Sequence, residues 1–420
     1  MHKRRLDAAE IVLIIALLLG LALRIGEWQQ NVGVDVLQRS PDSTMYVAIA
    51  NNLIDGKGYI GNDHMIARDG QPTAFYGPIY PFYLAALYTV FGQSQRVVLA
   101  SHIVLAMATI ILIYLLGKRV YGKMEGAIAA LAFATLPQII YYNFLLITET
   151  LYIFLTVAFL FLIATLFQKE RPSVWVMAAI GVLFGIIYLC RQVILVFPII
   201  FLPALWLRYG KNGYALLLRP TLIFVVAALL VVAPWVVRNY VTFGEPLMGT
   251  TTGPATLWWG TLEDKGTSLI VLLENYRNKH TDKSELQMSH MMASEAKENL
   301  RRMSAREIIT MLGKRIPRQF GFPRHVSLDG KQTRIAIMYT LFVVLGTIGM
   351  FLSSRRRHDR LLLGIFVIAT ISFHIATLAV FRYLMPLVPI IAIGFANLLT
   401  HAGAYIKSMR QAQSDRLTVY

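Results

Sequence analysis

The chain has 420 residues, of which 56% are hydrophobic, and a mean hydropathy of +0.56. That excess over the roughly 45–50% apolar content of soluble domains, gathered in recurring runs of spanning length, excludes a soluble globular protein and points to a polytopic membrane protein. The formal charge of +17 comes without any nucleic-acid-binding motif and sits mostly in short loops between spans, while the single Cys190 excludes an intramolecular disulfide or a cysteine-rich metal site.

The first apolar run, Ile11 to Leu23, is as short as a signal peptide, but no small-residue cleavage site follows it, so it reads as a retained helix. Ten spans are expected, near 9–26, 97–116, 124–141, 149–167, 173–189, 193–208, 219–238, 334–352, 361–380 and 384–402. With the N-terminus in the cytosol, Lys3–Arg5, Lys118, Arg119, Lys123, Lys169, Arg171, Arg208, Lys211, Arg219, Arg355–Arg357, Arg360, Lys407, Arg410 and Arg416 all fall on the cytosolic side. The short outer loops offer only Arg191 and Arg382. That bias places both termini in the cytoplasm of a multi-pass inner- or plasma-membrane protein.

Two long segments remain outside, 27–96 and 240–333. In the first, Ser40 reads as an N-cap, Pro41 as the first helical residue and Gly56 as the stop. Asp42, Tyr46, Ile49 and Leu53 then share one face, apolar below the carboxylate, which holds Asp42 inward at the membrane rim. An acid so held suits chemistry on something at that rim; it equally suits a favourable charge at a helix N-terminus. Ile79 to Phe91 is apolar, but it begins with Pro78 and Pro81 and is short for a crossing. An eleventh span would also send every later basic cluster outside, so the segment reads as an interfacial helix. In the second outer segment, Asp282-Lys283-Ser284-Glu285 and Ser304-Ala305-Arg306-Glu307 have capping-box form and predict helices near 283–302 and 305–316, ended by Pro317 and Gly321. The whole is a single integral-membrane domain, 1–420, whose outer loops fold onto the membrane part.

Several segments together resemble a known family. They are Asp42-Ser43-Thr44-Met45-Tyr46 to Gly58-Tyr59; Pro72-Thr73-Ala74-Phe75-Tyr76-Gly77-Pro78-Ile79-Tyr80-Pro81, ending at Phe91-Gly92; Ile147-Thr148-Glu149-Thr150-Leu151; Leu189-Cys190-Arg191; Pro234-Trp235-Val236-Val237-Arg238-Asn239-Tyr240; and Arg382-Tyr383-Leu384-Met385-Pro386. In this order they resemble the GT-C superfamily of polyprenyl-phosphate-sugar-dependent glycosyltransferases, in the branch of protein O-mannosyltransferases and the lipid A aminoarabinose transferase. The resemblance implies an all-α, GT-C-like bundle of about ten transmembrane helices with interfacial helices in two outer loops. It implies a polyprenyl- or dolichyl-phosphate sugar donor, an envelope acceptor (lipid, glycan or protein) and catalysis on the outer face. It maps the acid near the acceptor nucleophile onto Asp42 and a second acid onto Glu149, with Tyr46, Tyr59 and Tyr80 supporting the first-loop motif. Where many relatives carry a second acid beside the first, this chain has Ser43, so a divalent metal is the one cofactor left open and its ligands are unknown.

The chemistry of the residues agrees. A carboxylate can take the acceptor's proton as it attacks the anomeric carbon, and a single displacement inverts the sugar. The departing lipid phosphate needs cations, and arginine offers paired, permanently charged donors. Arg191, Arg238 and Arg382 all end spans on the outer side, where three cations would repel each other unless a phosphate sat between them. Their alternative use is interfacial anchoring. Glu149 either faces the site, as an acidic group or metal ligand, or simply begins a helix. His64, His290 and His325 lie in outer loops without metal-ligand spacing, and Trp258-Trp259 reads as an interfacial patch or a sugar-stacking surface. Two other classes share some of these features. A transporter would show inverted repeats, which are absent; a glycan ligase with a diphosphate-linked donor would need outer arginines without the Asp42 helix.

Overall fold

The computed structural model describes residues 6–31, 33–210, 215–262, 269–322, 330–352 and 357–417. Its helices in chain order are α1 (Ala8–Asn31), α2 (Pro41–Ile54), α3 (Ile79–Phe91), α4 (Gln95–Val120), α5 (Lys123–Thr135), α6 (Pro137–Asn143), α7 (Glu149–Phe167), α8 (Val174–Cys190), α9 (Val196–Tyr209), α10 (Ala215–Phe243), α11 (Thr252–Leu262), α12 (Leu269–Lys279), α13 (Glu285–Arg302), α14 (Ala305–Gln319), α15 (Lys331–Phe351), α16 (Arg357–Thr377) and α17 (Val388–Leu417). Among the described residues there is no β-strand, only isolated bridges between Ile60 and Pro72 and between His64 and Ala67.

Eight of these helical segments are long and apolar enough to cross a bilayer, and α5 with α6 forms a ninth, bent by 61°. The remaining expected span, α8, has 17 residues, and α3 has 13. The protein is a multi-pass membrane protein with an all-helical bundle.

The bend between α5 and α6 has a local cause. Pro137 cannot donate to the preceding turn, so carbonyls at the end of α5 lose their usual partners. Arg24 of α1, fully buried, supplies donors there: Nη1 donates to the carbonyls of Ala134 (3.1 Å) and Gly20 (3.0 Å), and Nε to Asn143 Oδ1 (2.8 Å). Asn143 in turn donates to Thr150 Oγ1 at 3.0 Å, tying the bend to the start of α7. Elsewhere α15 and α17 approach through glycine: a Cβ on Gly349 would lie 2.0 Å from the Gly394 carbonyl oxygen.

The long segments after α1 and after α10 pack on each other and on the ends of the spans. Capping boxes start α13 at Ser284 with Gln287 and α14 at Ser304 with Glu307. The first box is therefore two residues later than the Asp282–Glu285 reading, which frees Glu285 to turn inward. The helices α11 and α12 are additional to the sequence expectation. Glu285 accepts from Thr73 Oγ1 (2.6 Å), Thr251 Oγ1 (2.7 Å) and the Ala74 amide (2.9 Å), pinning α13 to the segment between α2 and α3. Burial raises its carboxyl above the ordinary range, opposed by these hydrogen bonds and by the charge of Arg238. Gly77 permits the contact that sets the site: a Cβ there would lie 2.0 Å from the Leu189 carbonyl oxygen, so only glycine lets this segment rest on the end of α8.

Candidate active site

Asp42 sits in the first turn of α2, behind Pro41, on the same buried face as Tyr46 and Ile49. Ser40 occupies the N-cap position, but its side chain makes no capping bond. The carboxylate therefore faces protein partners across the fold: Arg382 Nη1 lies 2.7 Å from Oδ2, and Tyr76 donates to Oδ1 at 2.6 Å. His64 Nε2 is 3.1 Å from the Tyr76 hydroxyl and 3.7 Å from Asp42 Oδ1. Burial pushes the Asp42 carboxyl up, but the Arg382 charge, with contacts from His64 and Tyr76, outweighs burial and holds it well below the usual carboxylate range.

Arg382 belongs to the 3-10 turn Phe381–Leu387 that leads into α17. Its Nε lies 3.2 Å from Oε1 of Glu149, and the same oxygen accepts from Arg191 Nη1 at 2.9 Å. Glu149 opens α7 and Arg191 follows α8 directly. The result is an alternating row, Asp42–Arg382–Glu149–Arg191, of two carboxylates and two guanidinium groups. Its sides differ. Glu149 is fully buried, whereas the side chains of Arg191 and Arg382 are 15% and 27% exposed. Tyr383 and Tyr152 lie under the Arg191 guanidinium, 5.1 and 5.6 Å from ring centre to Cζ.

Beside the row lies a cavity of about 500 Å³, with Asp42, Arg382, Tyr76 and Tyr383 in one wall and Phe75, Thr256 and Trp259 among the others. Its mixture of apolar and aromatic surface with a few convergent polar groups suits a small polar ligand with apolar faces. Arg191 instead faces a smaller cavity with Tyr152, Thr156, Thr370 and His374.

The supporting tyrosines behave as packing. Tyr46 meets the rings of Tyr76 and Tyr80 at 4.5 and 5.0 Å; the Tyr80 hydroxyl reaches His102 at 3.3 Å; Tyr59 donates to the Tyr76 and Gly77 carbonyls. Arg238 departs from the sequence expectation. It is not gathered with the other two arginines: Nη1 donates to the Thr73 carbonyl (2.8 Å) and Asn239 Oδ1 (3.0 Å), and Nη2 to the Tyr59 carbonyl (2.9 Å). The expectation of three mutually repelling cations also fails, because Asp42 and Glu149 neutralise the pair that do meet. Trp258 is buried and donates to Glu295 at 2.7 Å, so it is no interfacial patch, while Trp259 lines the cavity. His290 is exposed near Glu245, and His325 lies outside the described residues. Tyr76 lies within the first-loop motif, but its place beside Asp42 depends on the loop turning back over α2, which no local pattern announces.

A cation shared by Asp42 and Glu149 does not fit this arrangement. Arg382 lies between Asp42 and Glu149 and places a guanidinium where a shared cation would sit. Among the described residues, no three His, Cys, Asp or Glu side chains converge.

Residues 73–237 match the family model of dolichyl-phosphate-mannose-protein mannosyltransferases. An archaeal oligosaccharyltransferase, AglB from Archaeoglobus fulgidus in complex with an inhibitory peptide and a dolichol-phosphate, has a similar structure: TM-score 0.58 at 16% identity, covering 97% of this chain and 52% of that one. The apo form of the A. fulgidus enzyme gives 0.61 at 16% identity with the same coverage, and its complex with Zn and sulfate gives 0.56 at 17%, covering 94% and 49%. The chain thus spans about half the length of these enzymes. ArnT from Cupriavidus metallidurans bound to undecaprenyl phosphate aligns at a TM-score of 0.40 and 15% identity over 93% of this chain and 77% of that one, too low to bear on the fold. No curated protein sequence matches. The chain shares its fold with about half of the A. fulgidus oligosaccharyltransferase.

Proposed function

We propose that the protein is a membrane glycosyltransferase that moves a sugar from a polyprenyl or dolichyl monophosphate to an envelope acceptor on the extracytoplasmic face, inverting the anomeric centre. The observation that carries this reading is the row Asp42–Arg382–Glu149–Arg191 beside a cavity of about 500 Å³. It offers a carboxylate for the acceptor and partly exposed guanidinium groups for a phosphate, at the outer ends of spans. The family-model match and the names of the fold relatives point the same way.

In the proposed step the acceptor oxygen or nitrogen attacks the anomeric carbon as that carbon's bond to phosphate oxygen breaks. The bonding electrons leave with the phosphate, giving a polyprenyl monophosphate, and the acceptor proton passes to Asp42. Arg382 and Arg191 stabilise the charge that grows on the departing phosphate. While Arg382 grips it, Asp42 is a carboxylate of low basicity. A donor phosphate drawing on Arg382 loosens that grip, so the base strengthens once the donor is in place. The residues present do not suit a metal, and no part of this step uses one.

The orientation rests on the basic bias of the short loops and on parity: α1, α6, α8, α10 and α16 end, and α4, α7, α9, α15 and α17 begin, near the site-bearing side. Purified protein supplied with a labelled polyprenyl-monophosphate sugar and envelope extract should transfer label and release lipid monophosphate. Turnover only with a diphosphate-linked donor would make the protein a ligase instead. Flux of label across vesicles without bond cleavage would make it a transporter.

A further inference from the structure

We infer that Glu149 is a built-in counter-anion that weakens the site's hold on the phosphate product and so sets its release. The inference rests on the transferase reading above and deepens it.

The geometry sets Glu149 apart from an acid that reacts. It is fully buried, it does not line the cavity that holds Asp42, and one of its oxygens touches both guanidinium groups, at 2.9 and 3.2 Å. A ligand phosphate in that cavity therefore meets Arg382, which lines it, with Arg191 on the smaller cavity next to it, while Glu149 holds both guanidinium groups from behind. Donors remain for it: among the described residues, Nη2 of Arg382 and Nε and Nη2 of Arg191 have no hydrogen-bond acceptor.

Charge decides what this does. The donor is a phosphodiester with one negative charge; the product is a phosphate monoester, which carries about −1.5 to −2 at pH 7. Two arginines alone would prefer the more charged product and be blocked by it. With Asp42 and Glu149 in the row, the four groups sum to neutrality, so the attraction of the arginines for the extra charge of the product is largely cancelled by the carboxylates behind them. Once Asp42 has passed on the proton it received, both anions oppose the product. A carboxylate with no access to substrate thus acts as a positioning residue with an electrostatic second duty.

The test is binding of a polyprenyl monophosphate and of its methyl diester, in detergent micelles, to wild type, Glu149→Gln and Glu149→Asp, with initial rates on the same preparations. Glu149→Gln should bind the monoester about tenfold more tightly or better and gain less for the diester. Its donor KM and kcat should both fall, with release of lipid phosphate becoming slow. Glu149→Asp, which keeps the charge, should stay near wild type in monoester affinity. Weaker binding of both ligands by Glu149→Gln would overturn the inference and leave Glu149 as a strut for the arginines. Should Glu149→Gln not fold, the wild type still decides: a monoester preference of tenfold or more over the diester overturns the inference, and comparable affinities support it. No binding of either lipid by wild type would overturn the transferase reading itself.

Discussion

Replacing Asp42 by Asn isolates the role of its charge, because the two side chains have nearly the same shape. Both carboxylate oxygens are engaged, one by Arg382 at 2.7 Å and one by Tyr76 at 2.6 Å. Asn can still present its oxygen to Arg382, and the Tyr76 hydroxyl can rotate to accept from the new NH₂, so the local hydrogen bonds survive. What goes is the charge assistance, worth about 1.5–3 kcal/mol to stability, and the base. Loss of a general base typically costs about 10²–10⁴-fold in rate, or about 2.7–5.4 kcal/mol of barrier. Arg191 and Arg382 remain, so transfer should fall to that extent without vanishing, and lipid-phosphate binding should persist or tighten. The assay is initial rate at saturating donor and acceptor, with folding followed by thermal unfolding in detergent. An acceptor analogue with a more acidic hydroxyl should lose less on substitution, since it depends less on the base. A rate within tenfold of wild type in a folded Asp42→Asn protein would refute the mechanism and reduce Asp42 to a helix-terminus charge.

Arg238→Ala should lower stability by about 2–3 kcal/mol through lost charged hydrogen bonds to the first outer segment, with more protease nicking there but less loss of donor affinity than Arg191→Ala; equal affinity losses with unchanged stability would contradict this. Glu285 has a raised folded pKa, so its contribution to stability is fully present below its ordinary value of 4.5 and is lost as pH rises through the folded value. The Tm of wild type should therefore fall relative to Glu285→Gln as pH climbs from 4.5, and a pH-independent difference would count against the assignment. A cysteine introduced near Lys118 should be labelled only from the cytoplasmic side; labelling from outside would reverse the topology.

Much of this architecture is legible in sequence because hydropathy and helix periodicity are local properties. Span positions and the inward face of the Asp42 helix follow from spacing within a few turns. Arg191 and Arg382 drew attention because they stand against the charge bias. Their relation to Asp42 and Glu149 was not readable: it depends on which span ends become neighbours, and Asp42 and Arg382 are 340 residues apart. The same holds for Arg238, whose position at a span end resembles that of the other two but whose side chain turns to backbone carbonyls. Arg24 shows no sign in the sequence of its use, since the carbonyl it meets at Ala134 is freed by a proline on another helix.

The distance between Asp42 and Arg382 along the chain also bears on assembly. Spans enter the membrane in order from the N-terminus, so Glu149 and Arg191, separated by 42 residues, can neutralise each other early. Asp42 has no guanidinium partner until the turn before α17 arrives, and until then only the Tyr76 hydroxyl and His64 can attend it. The last insertion event thus brings the first acid of the site its guanidinium partner. A nascent chain halted before Phe381 would carry every other member of the row and leave Asp42 without its guanidinium partner, so the row is completed only as the bundle closes.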